Sequence, residues 1–224
     1  MQSNSTLLLH TYYRSSCSGR LRIALSIKEI QARYTYVNLG DGEQRKSDYI
    51  DLNPSGTVPV LTHLKNGEPV VFITQSIAAL EYLEEVSGDR DPLLPTESVA
   101  RAQVRVLMNV IAMDTQPLTN SSLVQRVAEL GVNATDWHKR YLARGLRTYE
   151  SLVAQTVGRY SVGDQPTLAD VCLVPCVWNA EQYGVDLEAF PTVMRVYKTM
   201  MELEAVQKAH WRNQVDCPAD GSWL

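Results

Sequence analysis

The sequence predicts two domains, an α/β N-terminal domain followed by an all-α C-terminal domain. From Leu7 to about Glu85, short apolar runs alternate with amphipathic stretches, whereas every long stretch after Pro95 has helical periodicity. The intervening segment SGDRDPLLP concentrates glycine, proline and charge, which is typical of a boundary. We therefore place the domains at residues 1–88 and 89–224, and a chain of 224 residues with 45% hydrophobic residues is long enough for both.

The N-terminal elements follow from the residue pattern in chain order. LLLHTYY predicts a strand, the following helix begins at Ser16 or Cys17, and ARYTYVNL alternates like a second strand. A strand, helix, strand unit of this kind favours parallel pairing. After a short helical segment, VPVLTHL and EPVVFI predict a hairpin through Asn66 and Gly67, and another helix begins near Gln75.

The C-terminal half contains four long stretches of helical period and no competing strand pattern. These stretches are RAQVRVLMNVIAM, TDWHKRYLARGLRTYESLVAQTV, LADVCLVPCVWNAEQY and FPTVMRVYKTMMELEAV. Thr167 and Asp170, just before the third, have the spacing of a capping box, which we assign to structure and not to catalysis. An all-helical domain is the expected result.

Charge and composition argue against several classes of partner. The formal net charge of −4 is mild and the basic residues are scattered, which disfavours nucleic acid. The N-terminal residues have no charged leader and only a three-residue leucine run, so we expect neither a secretory signal nor a membrane span, and an intracellular protein.

The cysteines and histidines are dispersed. Cys17, Cys172, Cys176 and Cys217 lack the spacing of a disulfide scaffold or a zinc knuckle, and no histidine pair has metal-ligand spacing. We expect no metal, and buried thiols at Cys172 and Cys176, because the sequence around them is apolar.

The segment RSSCS raises a question of function, because it places Ser15, Ser16 and Cys17 where a helix begins. The free N–H groups and dipole of a helix N-terminus suit an anion. The serines could instead simply cap the helix, and the cysteine could be a small half-buried thiol. From these residues alone, both interpretations stay open.

Two more features of the same half allow both a structural and a binding interpretation. Val58-Pro59 precedes a strand, where a cis-proline would present the Val58 backbone to a ligand, although a trans-proline is the commoner case. Gln75 and Ser76 begin a helix, where they could receive a carboxylate or where Ser76 could be a cap. Taken together, these features describe a thioredoxin-like domain with a small anionic ligand.

Four motifs carry a resemblance to a known family. RSSCSGRLRIAL, NPSGTVPVL, the QS helix start and VGDQPTLADVCLVP resemble the zeta class of glutathione transferases, whose defining activity is maleylacetoacetate isomerase. The similarity runs from about Leu7 to Pro218. It implies glutathione as a recycled cofactor whose thiolate adds to the double bond of a maleyl compound, allows rotation, and is eliminated.

The resemblance also assigns roles by position. It makes Ser15, Ser16 and Cys17 the catalytic triplet, with the hydroxyls supporting the thiolate and the cysteine as a helper. It implies that glutathione is bound by five further residues: Val58 at the cysteinyl part, Gln75 and Ser76 at the γ-glutamyl end, Gln116 from the second domain, and Gln44 at the glycyl end.

Two residues bear on the substrate. Arg14 precedes the triplet and is the first candidate for a substrate carboxylate, although a lone arginine is also compatible with a solvated surface position. Gln182 stands in NAEQY where the family usually has an arginine, so a charged contact is lost there. Either Arg14 and the helix dipoles suffice, or the substrate preference differs.

Two other functions remain open. The first is a broader glutathione transferase or dehalogenase that conjugates small electrophiles, which Gln182 favours. The second is a non-catalytic scaffold that binds a protein partner, which the intact triplet disfavours. The resemblance further implies a homodimer, a cytoplasmic location and a place in phenylalanine and tyrosine catabolism.

Overall fold

A computed structural model describes residues 5–88 and 90–222. The strands are β1 (Ser5–Thr11), β2 (Ala32–Tyr36), β3 (Val60–Lys65) and β4 (Glu68–Ile73). The α-helices are α1 (Ser16–Ile27), α2 (Ser47–Leu52), α3 (Ser76–Ser87), α4 (Ser98–Asn109), α5 (Ser121–Glu129), α6 (Ala134–Val153), α7 (Leu168–Gln182), α8 (Pro191–Met201) and α9 (Glu204–Ala209). In this described part of the chain, no helix is both long and apolar enough to span a bilayer.

The strands form one mixed sheet in the order β2-β1-β3-β4. β1 pairs with β2 in parallel and with β3 antiparallel, and β3 pairs with β4 antiparallel. The predicted strand, helix, strand unit with parallel pairing is confirmed, as is the predicted fold class. Leu7 and Leu9 of β1 are fully buried because alternate residues of a strand point to the same face.

The β3–β4 hairpin turns where the Asn-Gly pair predicts. Asn66 and Gly67 have φ angles of 55° and 88°, which are the positive values that a two-residue type I′ turn requires at both central positions. Gly67 takes this conformation without steric cost, and asparagine tolerates it better than most residues.

Contacts divide the chain into two compact units, and the division differs from the predicted boundary at the C-terminus. One unit holds the residues up to Pro92 together with those from Glu204 onward, and the other holds Leu93–Leu203. The residues from Glu204 onward thus group with the N-terminal unit by contacts, whereas the sequence prediction places them in the range 89–224. The physical reason is that α9 packs against α1, and the Ala209 carbonyl accepts a hydrogen bond from the buried Arg22 side chain.

Two predicted helices differ from those observed. The stretch from Phe190 to Val206 forms two helices, α8 and α9, with the break at Glu202 and Leu203, where the chain passes from one unit to the other. The stretch that begins at Arg101 continues beyond α4 as a π-helical segment, Val110–Thr115. Helix α5 was not predicted as a separate element.

The π-helical segment packs closely against α6, with Thr115 of the segment against Gly145 of the helix. The Thr115 hydroxyl donates to the Val110 carbonyl at 2.7 Å, and a Cβ atom on Gly145 of α6 would lie only 2.0 Å from that hydroxyl oxygen. Glycine is therefore required at this close approach. The segment ends directly before Gln116, one of the predicted ligand residues, and π-helical turns often occur at functional sites.

The capping box before α7 is confirmed. The Thr167 backbone N–H and hydroxyl both donate to Asp170 Oδ2 at 2.8 Å, and the Ser161 N–H donates to Asp170 Oδ1 at 2.9 Å. Burial raises the pKa of Asp170, and the hydrogen bonds from Ser161 and Thr167 act in the opposite direction. Cys172 and Cys176 on the same helix are buried free thiols, as expected.

Candidate functional site

A tight turn between β1 and α1 carries the predicted triplet. The Ser15 N–H donates to the Tyr12 carbonyl at 3.0 Å, which closes the turn. Ser15 is then the N-cap of α1, with extended backbone angles, and its Oγ accepts a hydrogen bond from the Ser18 N–H at 3.1 Å. Ser16 and Cys17 are the first two helical residues, and all three members of the triplet are half-buried.

Capping and ligand binding are compatible at Ser15. Its oxygen accepts from the Ser18 N–H, but the hydroxyl hydrogen is not used in that bond and remains a donor. A group placed beside the triplet would receive this hydroxyl donor together with the positive end of the α1 dipole. Both effects favour a thiolate over a thiol.

Arg14, in the same turn, is not a freely solvated arginine. It is half-buried and its side chain lies against the hydroxyl of Tyr12. Burial raises the pKa of Tyr12 to about 12, as does the neighbouring Tyr13, whereas the charge of Arg14 and its hydrogen bond act in the opposite direction. Tyr12 therefore stays neutral at physiological pH.

The start of α3 is a second helix N-terminus in the same unit. Gln75 is the N-cap, and within the described residues its side chain makes no cap hydrogen bond. Ser76 is the first helical residue, so it is not the cap that the alternative interpretation required. Its buried Oγ instead accepts a hydrogen bond from Arg20 Nη1 at 3.0 Å.

The Val58-Pro59 peptide bond is cis, as the binding interpretation of that motif expected. Val58 is buried in a small apolar cluster with Val37, Tyr49 and Val60. No described residue takes a hydrogen bond with the backbone N–H or carbonyl of Val58. Both groups therefore lack a partner among the described residues, and a peptide-like ligand could pair with them.

The residue before Val58 is held by two side chains that are not among the predicted ligand residues. The Thr57 carbonyl accepts hydrogen bonds from the Tyr49 hydroxyl and from Asn53 Nδ2, both at 2.7 Å. Asn53 is almost fully buried. The signal for its role was present in the sequence NPSGTVP, because asparagine commonly bonds the backbone of a following turn.

Gln44 is half-buried in the loop between β2 and α2. Its Nε2 donates to the Leu39 carbonyl at 3.5 Å, and its Oε1 is buried with no partner among the described residues. A buried amide oxygen without a partner is unusual. The side chain thus retains an acceptor, which is compatible with the predicted contact.

The remaining two predicted residues lie in the helical unit. Gln116 begins the 3-10 turn Gln116–Thr119 that follows the π-helical segment, and it is half-buried. Gln182 is the last residue of α7 and is also half-buried. Both stand at helix ends, and Gln182 is uncharged there.

Comparison with known proteins identifies relatives that match most of the chain. The N-terminal domain family of glutathione S-transferases matches residues 14–86, and the C-terminal domain family matches residues 122–204. A maleylacetoacetate isomerase of Aspergillus fumigatus is 49% identical, over 95% of this chain and 93% of that protein.

The solved structures that resemble this chain include isomerases of the same family. The crystal structure of maleylacetoacetate isomerase from Anaeromyxobacter dehalogenans, with glutathione bound in its active site, has a TM-score of 0.88 and 38% identity, over 96% of this chain and 99% of that one. The holo structure of a maleylpyruvate isomerase, described as a bacterial glutathione S-transferase of the zeta class, has a TM-score of 0.87 and 35% identity, over 93% and 99% of the two chains.

Proposed function

Because this chain belongs to the zeta class of the glutathione S-transferase family, we propose that it is an enzyme that isomerises maleylacetoacetate to fumarylacetoacetate. The observation that carries the proposal is the position of Ser15 at the N-terminus of α1, with its hydroxyl hydrogen still available as a donor. An enzyme of this kind must hold a thiolate, and this position favours one.

The residues of the N-terminal unit fit glutathione group by group. Ser15 offers a hydroxyl donor to the sulfur, and the Val58 backbone offers an N–H and a carbonyl to the cysteinyl peptide. The first turn of α3, with Gln75 and Ser76, offers N–H groups and a hydroxyl to the γ-glutamyl carboxylate. Gln44 and Gln116 are proposed contacts at the glycyl end and from the helical unit.

Glutathione, when bound, supplies a thiolate that adds to the maleyl double bond and is later eliminated, so that the bond rotates while it is single and no glutathione is consumed. Ser15 and the α1 dipole stabilise the negative charge on sulfur before addition and after elimination. Arg14 orients the substrate through a carboxylate and offsets the negative charge that develops during addition. Ser16 and Cys17 line the site beside the sulfur. Cys17 assists there and is not the essential nucleophile.

The experiment is the conversion of maleylacetone to fumarylacetone with catalytic glutathione, with free thiols counted before and after. We expect isomerisation with no loss of thiol. Ser15→Ala should lower kcat by at least about tenfold, because it removes a donor to the thiolate. Ser151→Ala, on the exposed face of α6, is the matched control and should have no effect.

A second candidate function follows from Gln182. A glutamine supplies no charge for the substrate, so conjugation of small electrophiles such as α-halo acids is the alternative. It predicts steady thiol loss with a chlorinated acid and no isomerisation in the same assay. Failure to bind glutathione at all would instead favour a non-catalytic scaffold.

We further propose a homodimer in the cytoplasm that serves phenylalanine and tyrosine catabolism. The dimer is supported by exposed apolar side chains in each unit: Val70 and Phe72 on β4, and Val99, Val106 and Met113 on α4 and the segment after it. Apolar side chains grouped on one element are typical of an interaction surface. Sedimentation of the purified protein tests this point directly.

A further inference from the structure

The four residues between β1 and α1 form one structural element. The turn Tyr12–Ser15 is closed by the hydrogen bond from the Ser15 N–H to the Tyr12 carbonyl at 3.0 Å. It carries Arg14 and Ser15, which the proposed function assigns to the substrate carboxylate and to the glutathione sulfur. A contact that fixes the position of this turn therefore also fixes the positions of Arg14 and Ser15.

Arg22 holds the carbonyl side of the turn. Its side chain is only 2% exposed, and its guanidinium donates to the carbonyls of Tyr12 and Tyr13, each at 3.1 Å. The Tyr12 carbonyl thus accepts from Arg22 and from the Ser15 N–H together. A shift of the guanidinium would move the acceptor on which the backbone position of Ser15 depends.

The same guanidinium also binds both flanking elements. Arg22 Nη1 donates to Thr11 Oγ1 at the end of β1, at 3.1 Å, and Nε donates to the Ala209 carbonyl at the end of α9, at 3.2 Å. Burial lowers the pKa of Arg22 to about 10, and the negative charge of Asp216 acts in the opposite direction. Arg22 therefore remains charged at physiological pH.

Asp216 holds the amide side of the turn. Its Oδ2 accepts a hydrogen bond from the Tyr13 N–H at 2.8 Å, across 203 positions of sequence. The Tyr13 ring lies 6.4 Å from the ring of Trp211, and its hydroxyl donates to the Ser222 carbonyl at 3.3 Å. The C-terminal segment thus contacts the turn through backbone, ring and hydroxyl.

We propose that Arg22 and Asp216 are positioning residues, which hold the turn so that Ser15 and Arg14 face the sulfur and the substrate. This inference rests on the proposed function and extends it to the C-terminal segment. Neither side chain takes part in the chemical steps. Their effect on the reaction passes through the turn, because both contact its backbone and neither belongs to the triplet.

The test compares Asp216→Ala, which removes the acceptor for the Tyr13 N–H, with Asp216→Asn, which keeps an acceptor oxygen. Glu204→Ala is the matched control, because it removes one negative charge from the same segment at an exposed ion pair with Lys208. The readouts are the pKa of the bound glutathione thiol from its thiolate absorbance, the KM for maleylacetone, and hydrogen exchange of the Tyr13 and Ser15 amides without glutathione.

We expect Asp216→Ala to raise the thiol pKa, to raise the KM for maleylacetone, and to lower kcat/KM by about 10- to 100-fold, the range that follows from small misplacement of reacting groups. Exchange at Tyr13 and Ser15 should become faster. Asp216→Asn should recover most of the loss, and Glu204→Ala should match the wild type. Arg22→Lys, which keeps a charged donor, should show the same pattern as Asp216→Ala in weaker form.

A combination with Ser15→Ala identifies the route of the effect. If Asp216 acts on the thiol through Ser15, then Asp216→Ala should leave the thiol pKa unchanged when Ser15 is already alanine. An additive change in the thiol pKa would overturn the proposed route.

An Asp216→Ala protein that keeps wild-type thiol pKa, KM and amide exchange would overturn the inference. If Asp216→Ala does not fold, Asp216→Asn and Arg22→Lys test the inference with the same readouts. A wild-type protein that binds no glutathione would overturn the proposed function, while amide exchange would still show whether Asp216 holds the turn.

Discussion

Arg20 Nη1 donates a hydrogen bond to Ser76 Oγ at 3.0 Å, and both side chains are buried. The bond joins the first turns of α1 to the first residue of α3, so it links the two helix N-termini of the proposed glutathione site. Because Ser76 accepts from Arg20, its hydroxyl hydrogen remains available to donate to a carboxylate.

The first prediction concerns glutathione affinity. Arg20→Met should raise the KM for glutathione by roughly tenfold, because a hydrogen bond from a charged donor is lost and Ser76 is free to reorient. The kcat should change little, since the γ-glutamyl end is remote from the reacting bond. Steady-state kinetics with varied glutathione measures both quantities.

Arg33→Met is the control for this change, because Arg33 is an exposed arginine on β2. It should leave the KM for glutathione unaltered. Equal effects of Arg20→Met and Arg33→Met would show that the Arg20–Ser76 bond does not contribute to binding. Arg20→Lys should lie between the wild type and Arg20→Met.

The second prediction concerns stability at Lys28. Its ammonium is fully buried, lies 2.8 Å from Glu84 Oε1, and donates to Ser87 Oγ and to the carbonyls of Arg90 and Asp91 at 3.1 Å. Lys28→Met should lower the free energy of unfolding by about 3–5 kcal/mol, because the Glu84 carboxylate loses a close ion pair and two carbonyls lose a donor. Urea unfolding measures the change.

Lys208→Met provides the comparison for Lys28→Met. Lys208 and Glu204 form an exposed pair of the same length, 2.8 Å. Its removal should lower the free energy of unfolding far less than Lys28→Met does, because solvent screens exposed pairs. Similar costs at the two positions would contradict the role given to burial.

The third prediction concerns the capping box of α7. Thr167→Ala should lower the free energy of unfolding by about 1 kcal/mol. Asp170→Ala should cost more, roughly 2–3 kcal/mol, because the buried N–H groups of Ser161 and Thr167 are left without an acceptor. The activity per folded molecule should stay at the wild-type level, which thermal unfolding and the isomerase assay on the same samples would establish.

Asp136→Ala tests whether the effect is specific to α7. Asp136 occupies the first turn of α6 and is exposed. Its substitution should change stability far less than Asp170→Ala. A loss of specific activity in Asp170→Ala, at unchanged folded fraction, would mean that the capping box affects the site and not only the fold.

The fourth prediction concerns pH. Burial lowers the pKa of His210 from 6.5 to about 4, and Arg212 and Arg22 act in the same direction. Between pH 6.5 and 4, the unfolded chain binds a proton at this histidine and the folded chain does not. His210 therefore contributes stability above pH 6.5 that is lost as the pH falls toward 4.

His210→Asn should flatten this dependence, because asparagine keeps an acceptor for the Arg212 N–H but does not titrate. Urea midpoints measured from pH 4 to pH 7 give the slope of stability against pH in both proteins. Part of the slope should remain, because burial also lowers the pKa of His10. Identical slopes in wild type and variant would refute the assignment to His210.

Much of the candidate site could be predicted from local sequence. The helix start at Ser16 and the N-terminus of α3 at Gln75 lie within motifs of a few residues, whereas the sequence left the cis bond at Val58-Pro59 open beside the commoner trans form. Ser15 shows the limit of such reasoning, because a cap and a ligand contact have the same sequence pattern. The structure shows that one oxygen serves as the cap while its hydrogen remains available.

The amino-acid sequence by itself determined the order of elements in the N-terminal half, the division into an α/β and an all-α half, and the helix starts at Ser16 and Gln75. These features depend on periodicity, turns and caps between near neighbours. Only the tertiary structure decided that the C-terminal segment joins the first unit, that Asp216 meets the Tyr13 amide, and that Arg20 meets Ser76. These contacts join residues far apart in the chain, and packing of buried groups, which no local pattern records, brings them together.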